Sequence, residues 1–99
     1  MHLRAFEQAV QFYQISKKSQ LPHHLKLQLC RAASSIALNL SEGTGKTGSA
    51  DRRRFFTIAM GSIRECQAIA ALEPDAFTGD TKRLLNALGG AVYRLIQKS

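Results

Sequence analysis

Between residues 43 and 54 the chain reads GTGKTGSADRRR, its densest run of groups able to hold or transfer charge. Gly43, Gly45, Lys46 and Thr47 are the types that cradle phosphates in a P-loop, where backbone amides and one lysine neutralise the anion. The full pattern needs a glycine five residues before Gly45, and Leu40 stands there. It also needs a strand running in and a second strand ending in aspartate for magnesium, and neither is present. Nucleotide hydrolysis is set aside, and Lys46 reads as a solvated loop cation or a single phosphate contact.

Three arginines, Arg52, Arg53 and Arg54, follow at the expected start of a helix, where the dipole disfavours cations. Glu42 lies at the expected end of the preceding helix, where an anion is disfavoured. Two rules broken at one end of a molecule point to paired or functional groups. Glu42 either pairs with an arginine of the next helix or of a neighbouring subunit, or it borders a basic rim. That rim of Lys46, Arg53 and Arg54, with Arg52, would hold phosphates through point charges and bidentate forks. Three consecutive residues span most of a helix circumference, so the three arginines cannot share one role. Arg52 extends the core stripe and is the structural one. Lys17, Lys18, Lys26, Lys82 and Arg83 fall toward the opposite end, so the charge does not form a single stripe.

The remaining candidates are weaker. His23 and His24 have one other histidine in the chain and suit a wet helix start rather than a metal site. Cys30 and Cys66 lie 36 residues apart on apolar stripes, without CxxC or histidine at ligand spacing, so two reduced core thiols are expected rather than zinc or a disulfide. Arg31 and Glu65 fall mid-helix on adjacent helices and are expected to bridge them. The serines crowd a helix flank with no histidine at helical spacing, so no nucleophile–base pair stands out. No catalytic site, metal or cofactor is expected.

Apolar residues at three- and four-residue steps supply the elements that position these groups. The spacing predicts helices at about 2–19, 23–43, 49–73 and 79–98, joined by short connections at Pro22, Thr44–Gly48 and Pro74. The expected fold is all-α, an antiparallel up-down-up-down four-helix bundle forming a single domain over 1–99. Inward stripes run through Leu3, Phe6, Val10 and Tyr13; through Leu25, Leu29, Ala32, Ile36 and Leu40; through Phe56, Ala59, Ile63, Cys66 and Ala70; and through Leu84, Leu88, Ala91 or Val92, and Leu95. Gly43 is the natural residue to end the second helix. Ser49 and Asp80 are the expected caps of the third and fourth helices. Phe12, Ile15, Phe55 and Ile58 lie off the main stripes and are candidates for an oligomer interface. Mid-helix glycines cost about 1 kcal/mol against alanine. Gly61 and Gly89-Gly90 fall level with Gln11 and Arg31-Ala32, which suggests a narrow waist of closely approaching backbones.

The composition, with 44% hydrophobic and 21% charged residues, is that of a globular chain, and no apolar run reaches membrane-span length. The first residues, MHLRAFEQAV, lack the layout of a signal peptide, so a cytoplasmic location is expected. Fourteen Lys and Arg against seven Asp and Glu give a net charge of +7 and a pI near 10.0, which favours RNA, DNA or an acidic protein surface as partner.

QLCRAASSIALNLSEGTG at 28–45 and RRFFTIAMGSIRE at 53–65 carry a resemblance. In order and spacing the two segments resemble the 23S rRNA intervening-sequence protein family of four-helix bundles. Gln28, Leu29, Arg31, Ala32, Ala33, Ser35, Ile36, Asn39, Glu42 and Gly43 fit its first block. Arg54, Phe55, Ile58, Ala59, Gly61, Ser62 and Glu65 fit the second. Arg52 departs from the pattern, which usually has an aromatic or apolar residue there, and the connections at Pro22 and Pro74 look shorter than usual. The resemblance implies a homo-oligomer, a pentameric ring or barrel of bundles, and a link to RNA. Some members are encoded within insertions in ribosomal RNA genes, and related bundles accompany reverse transcriptases. It implies no activity that transfers residue by residue. Two functions remain in view: a non-catalytic oligomeric module for RNA or a ribonucleoprotein, and an accessory scaffold recruiting an acidic protein partner.

Overall fold

The computed structural model describes residues 3–99 and contains four α-helices and no strand among them. They are α1 (Arg4–Lys17), α2 (His23–Thr44), α3 (Ser49–Leu72) and α4 (Gly79–Lys98), with a single 3-10 turn at Pro74–Ala76 ahead of α4. The expected first residue of α1 lies outside the described residues. Each helix packs on its neighbour in sequence and α1 closes the set against α4, while the backbones of the diagonal pairs stay apart. The particle measures 40 × 22 × 21 Å, about the length of α3 alone at 1.5 Å per residue. No described helix is long and apolar enough to cross a membrane.

Two contacts fix how α2 meets α3. The Ser62 hydroxyl donates to the Ser35 hydroxyl at 2.9 Å. One residue before the end of α2, Gly43 faces the Phe56 ring so closely that an added Cβ would sit 2.6 Å from Cε1. Gly43 is therefore not a terminator. The helix runs on to Thr44, whose hydroxyl bonds back to the Leu40 carbonyl at 2.7 Å, and Gly45 at the C-cap has an ordinary right-handed φ of −79°. Close backbone approach belongs here rather than at a mid-bundle waist. A Cβ on Gly61 would meet nothing within 4 Å, and one on Gly89 would meet only ordinary contacts with Ile63 and Gln67.

The core residues of α2 match the expected stripe, with Leu29, Ala32, Ile36 and Leu40 all buried. In α3 the stripe ends on Ile69 rather than Ala70, and in α4 Leu85 is buried where Leu84 is only half-buried. The larger correction is α1, whose buried residues are Ala5, Ala9, Phe12 and Ser16. That face is turned about one residue, or roughly 100°, from the expected one. Val10 is exposed, and Phe6 and Tyr13 cover the flank half-buried. Small residues win the inward positions because Ala5 and Ala9 let α1 approach its neighbours, and the Phe12 ring fills the space this leaves. Ser16 is tolerated inside because its hydroxyl donates to the Phe12 carbonyl at 2.8 Å.

The expected caps also move. α4 is capped by Thr78, whose side chain accepts from the Thr81 amide at 3.1 Å, while Asp80 pairs with Arg83 inside the first turn. Gly48 occupies the N-cap of α3 without a side-chain bond, so Ser49 is already helical.

Both cysteines are free, Cys66 buried and Cys30 half-buried. Burial, and then the nearby Glu65 carboxylate, pushes the Cys66 thiol from 9.0 up to about 12. The unfolded thiol loses its proton near 9 and the folded one near 12. This residue's contribution is thus complete below about pH 9 and drains away between 9 and 12, at about 1.4 kcal/mol per pH unit. Chemical denaturation at pH 8 and pH 10 should show a loss of about 1 kcal/mol from this source. The Cys66→Ala variant should lack that increment, and an identical pH dependence in both proteins would contradict it.

Candidate nucleic-acid interface

The loop from Gly45 to Gly48 joins two helices, so the P-loop geometry of a strand feeding a phosphate cradle is absent. What the loop does is bring Lys46 back over α3. The Lys46 ammonium lies 5.3 Å from the centroid of the Phe55 ring, and the Arg54 guanidinium lies 4.5 Å from the same centroid. Such contacts contribute about 0.5–1 kcal/mol each at exposed sites. They also restrict two long side chains that would otherwise sweep through solvent. Phe55 is half-buried beneath them, so an oligomer contact there would first have to displace both cations.

Glu42 reaches Lys46 of the following loop at 3.8 Å, not an arginine of α3. With side chains 39% and 60% exposed, the pair contributes about 0.3–0.5 kcal/mol and leaves Lys46 available to a stronger anion. Arg52 is tied into the loop. Its guanidinium donates to the Thr47 carbonyl at 2.9 Å and to the Lys46 carbonyl at 3.4 Å. It closes the loop with bonds that a helix dipole cannot supply, which explains a cation at an unfavourable terminus. Arg53 and Arg54 are exposed and take part in no ion pair among the described residues. The structure thus brings Lys46, Arg52, Arg54, Phe55 and Glu42 into one cluster and leaves Arg53 projecting beside it.

Arg31 and Glu65 do not bridge α2 and α3. Both are exposed, and the ion pairs among the described residues are Glu42–Lys46 and Asp80–Arg83. Their positions were read at the right level but on outward rather than facing sides. Of the four interface candidates, Phe12 is fully buried within the chain, Ile15 and Phe55 are half-buried, and Ile58 alone is exposed.

A second cationic feature escaped the sequence reading. The start of α1 and the end of α4 enclose a shallow groove with Leu3, Ala5, Ala91 and Leu95 along it and Arg4, Arg94 and Lys98 at its sides. The signal was present only as isolated charges far apart in sequence, and their convergence depends on α1 closing against α4.

Fold and site together define a small all-helical protein with stacked, solvent-facing cations beside one interhelical loop. The family model of the 23S rRNA-intervening sequence protein matches residues 2–86, from the start of α1 into α4, and the chain belongs to that family. Among curated proteins no match to the chain is found.

Proposed function

We propose that this chain is a non-catalytic, oligomeric four-helix bundle that binds structured RNA through one cationic end. We infer an up-down-up-down course for the helices. Gly43 opposite Phe56 and Ser35 opposite Ser62 run in opposing sequence directions, and the short connection from Leu72 to Gly79 supports the same reversal between α3 and α4. With that course, Arg4, Arg94 and Lys98 come to the same end as Lys46 and Arg52–Arg54. That end gathers seven of the fourteen Lys and Arg, against Glu7, Glu42 and Asp51. The observation that carries the reading is the pair of cations held on Phe55 with Arg53 free beside them, in a member of a family associated with ribosomal RNA insertions. Pentameric assembly is part of the proposal by the same family link.

Binding of a structured RNA across a salt series tests it. Each phosphate neutralised contributes about −0.9 to the log–log slope for duplex and about −0.7 for single strands. The wild-type slope is expected at about −3 or steeper, and Arg53→Glu/Arg54→Glu should flatten it by about 2. Binding that ignores salt, or no binding at low salt, would contradict the reading.

A second reading, an accessory scaffold for an acidic protein partner, is favoured by the apolar floor of the α1/α4 groove beneath its three cations. Partner capture that survives nuclease treatment and is lost in Arg94→Glu/Lys98→Glu would select it.

A further inference from the structure

We propose that Arg54 is a base-stacking residue, so that this end of the molecule selects RNA with an unpaired nucleotide over a continuous duplex. The inference rests on the RNA-binding function above and names the feature of the RNA that the site reads.

Phe55 is the starting point. Phe6 and Tyr13 are half-buried and pack against the buried core; Phe55 is half-buried too but does not pack there. Against its ring lie two cations, Lys46 at 5.3 Å and Arg54 at 4.5 Å from the centroid. The other cation–ring contact among the described residues is a single lysine, Lys17, on the core-packed Tyr13. An aromatic ring on the flank of α3 that takes no part in the core serves to hold these two side chains in place.

Arg54 is the one that a ring prepares for more than charge. A guanidinium is planar and delocalised, and it stacks on π-faces while its N–H edge stays free. At 4.5 Å one side of the Arg54 guanidinium lies against Phe55, and the residue is exposed, so the other side meets solvent. No carboxylate competes for it. Glu42 engages Lys46, and neither Asp51, one turn earlier on α3, nor any other described carboxylate pairs with Arg54.

These features decide what the RNA must offer. Lys46 and Arg53 meet phosphates, which every RNA strand supplies. The open side of Arg54 is filled by a base, since bases stack on arginine planes as they do on aromatic rings. In a continuous A-form helix the bases are stacked on one another and present no face. Bulged or looped nucleotides can be splayed out onto the guanidinium.

Fluorescence anisotropy with two RNA duplexes of one sequence, one continuous and one interrupted by an unpaired bulge, tests this across a salt series. The parent protein should bind the bulged RNA about tenfold more tightly, the scale of one stacked base. That ratio should hold as salt rises, because stacking releases no counterions. Arg54→Lys should bring the two affinities within about twofold, because an ammonium has no plane to stack, while the salt slope, which counts charges, keeps its value. Phe55→Leu removes the support beneath Arg54 and should also narrow the ratio, with circular dichroism expected to show intact helices for a residue outside the core. Equal affinity of the parent for both RNAs, a ratio that fades with salt, or a ratio retained in Arg54→Lys would overturn the proposal and leave RNA binding at the cationic end standing. No binding of either RNA at low salt would overturn both.

Discussion

Replacing Phe12 with alanine is expected to cost about 3–5 kcal/mol of folding stability, the range for truncating a buried aromatic ring. Phe12 is 0% exposed and stands between the alanines of α1 and the core residues of α2 and α4. In a domain whose whole stability is about 5–15 kcal/mol, such a loss leaves the variant marginal at ordinary temperature. Urea denaturation read by circular dichroism would measure it. If Phe12 were instead an intersubunit residue, alanine would lower the oligomer mass at limiting concentration and leave the denaturation midpoint of the monomer unchanged, and that result would contradict its placement in the core.

Gly43→Ala is expected to destabilise by about 1–3 kcal/mol, although the helix propensity of alanine alone would stabilise by about 1. The steric term wins because the atoms in the way are ring carbons of Phe56, at 2.6 and 2.8 Å from the new Cβ. That residue is 4% exposed, so the ring can shift only against other core atoms. Phe56→Leu removes Cε1 and Cζ, the first of them the nearest carbon, so the double variant should cost less than the two single substitutions added together. Thermal unfolding of the four proteins measures this directly. A Gly43→Ala protein as stable as the parent would show that α2 and α3 are not held at this distance.

The number and limits of the helices were legible because each carries apolar residues at helical spacing and each of the first three is followed within a few residues by proline or glycine. The face of α1 was not. Leu3, Phe6, Val10 and Tyr13 make a better apolar stripe than Ala5, Ala9, Phe12 and Ser16, but size matters more than hydrophobicity where helices come close. Gly43 misled for a related reason: glycine before a loop usually ends a helix, and only the Phe56 ring opposite reveals its other use. Asp80 lost the α4 cap to Thr78, two residues earlier, because a threonine hydroxyl reaches the free amide of Thr81 from the extended backbone before the helix. In the candidate site, Arg52 was readable as structural from its place on the core stripe. The stacking of Lys46 and Arg54 on Phe55 was not, since it depends on the path of a four-residue loop that no periodicity specifies.

The concentration of function at one end is tested most directly by two charge reversals of equal size, compared for affinity toward the same structured RNA at one salt concentration. Arg53→Glu/Arg54→Glu alters the cationic end, and Lys18→Glu/Lys82→Glu makes the same change in net charge at exposed positions of the far end. A loss of tenfold or more is expected for the first, equivalent to about 1.4 kcal/mol, and little change for the second. Equal losses in both would mean that the RNA responds to net charge alone and that the end formed by the α2–α3 loop has no privileged role.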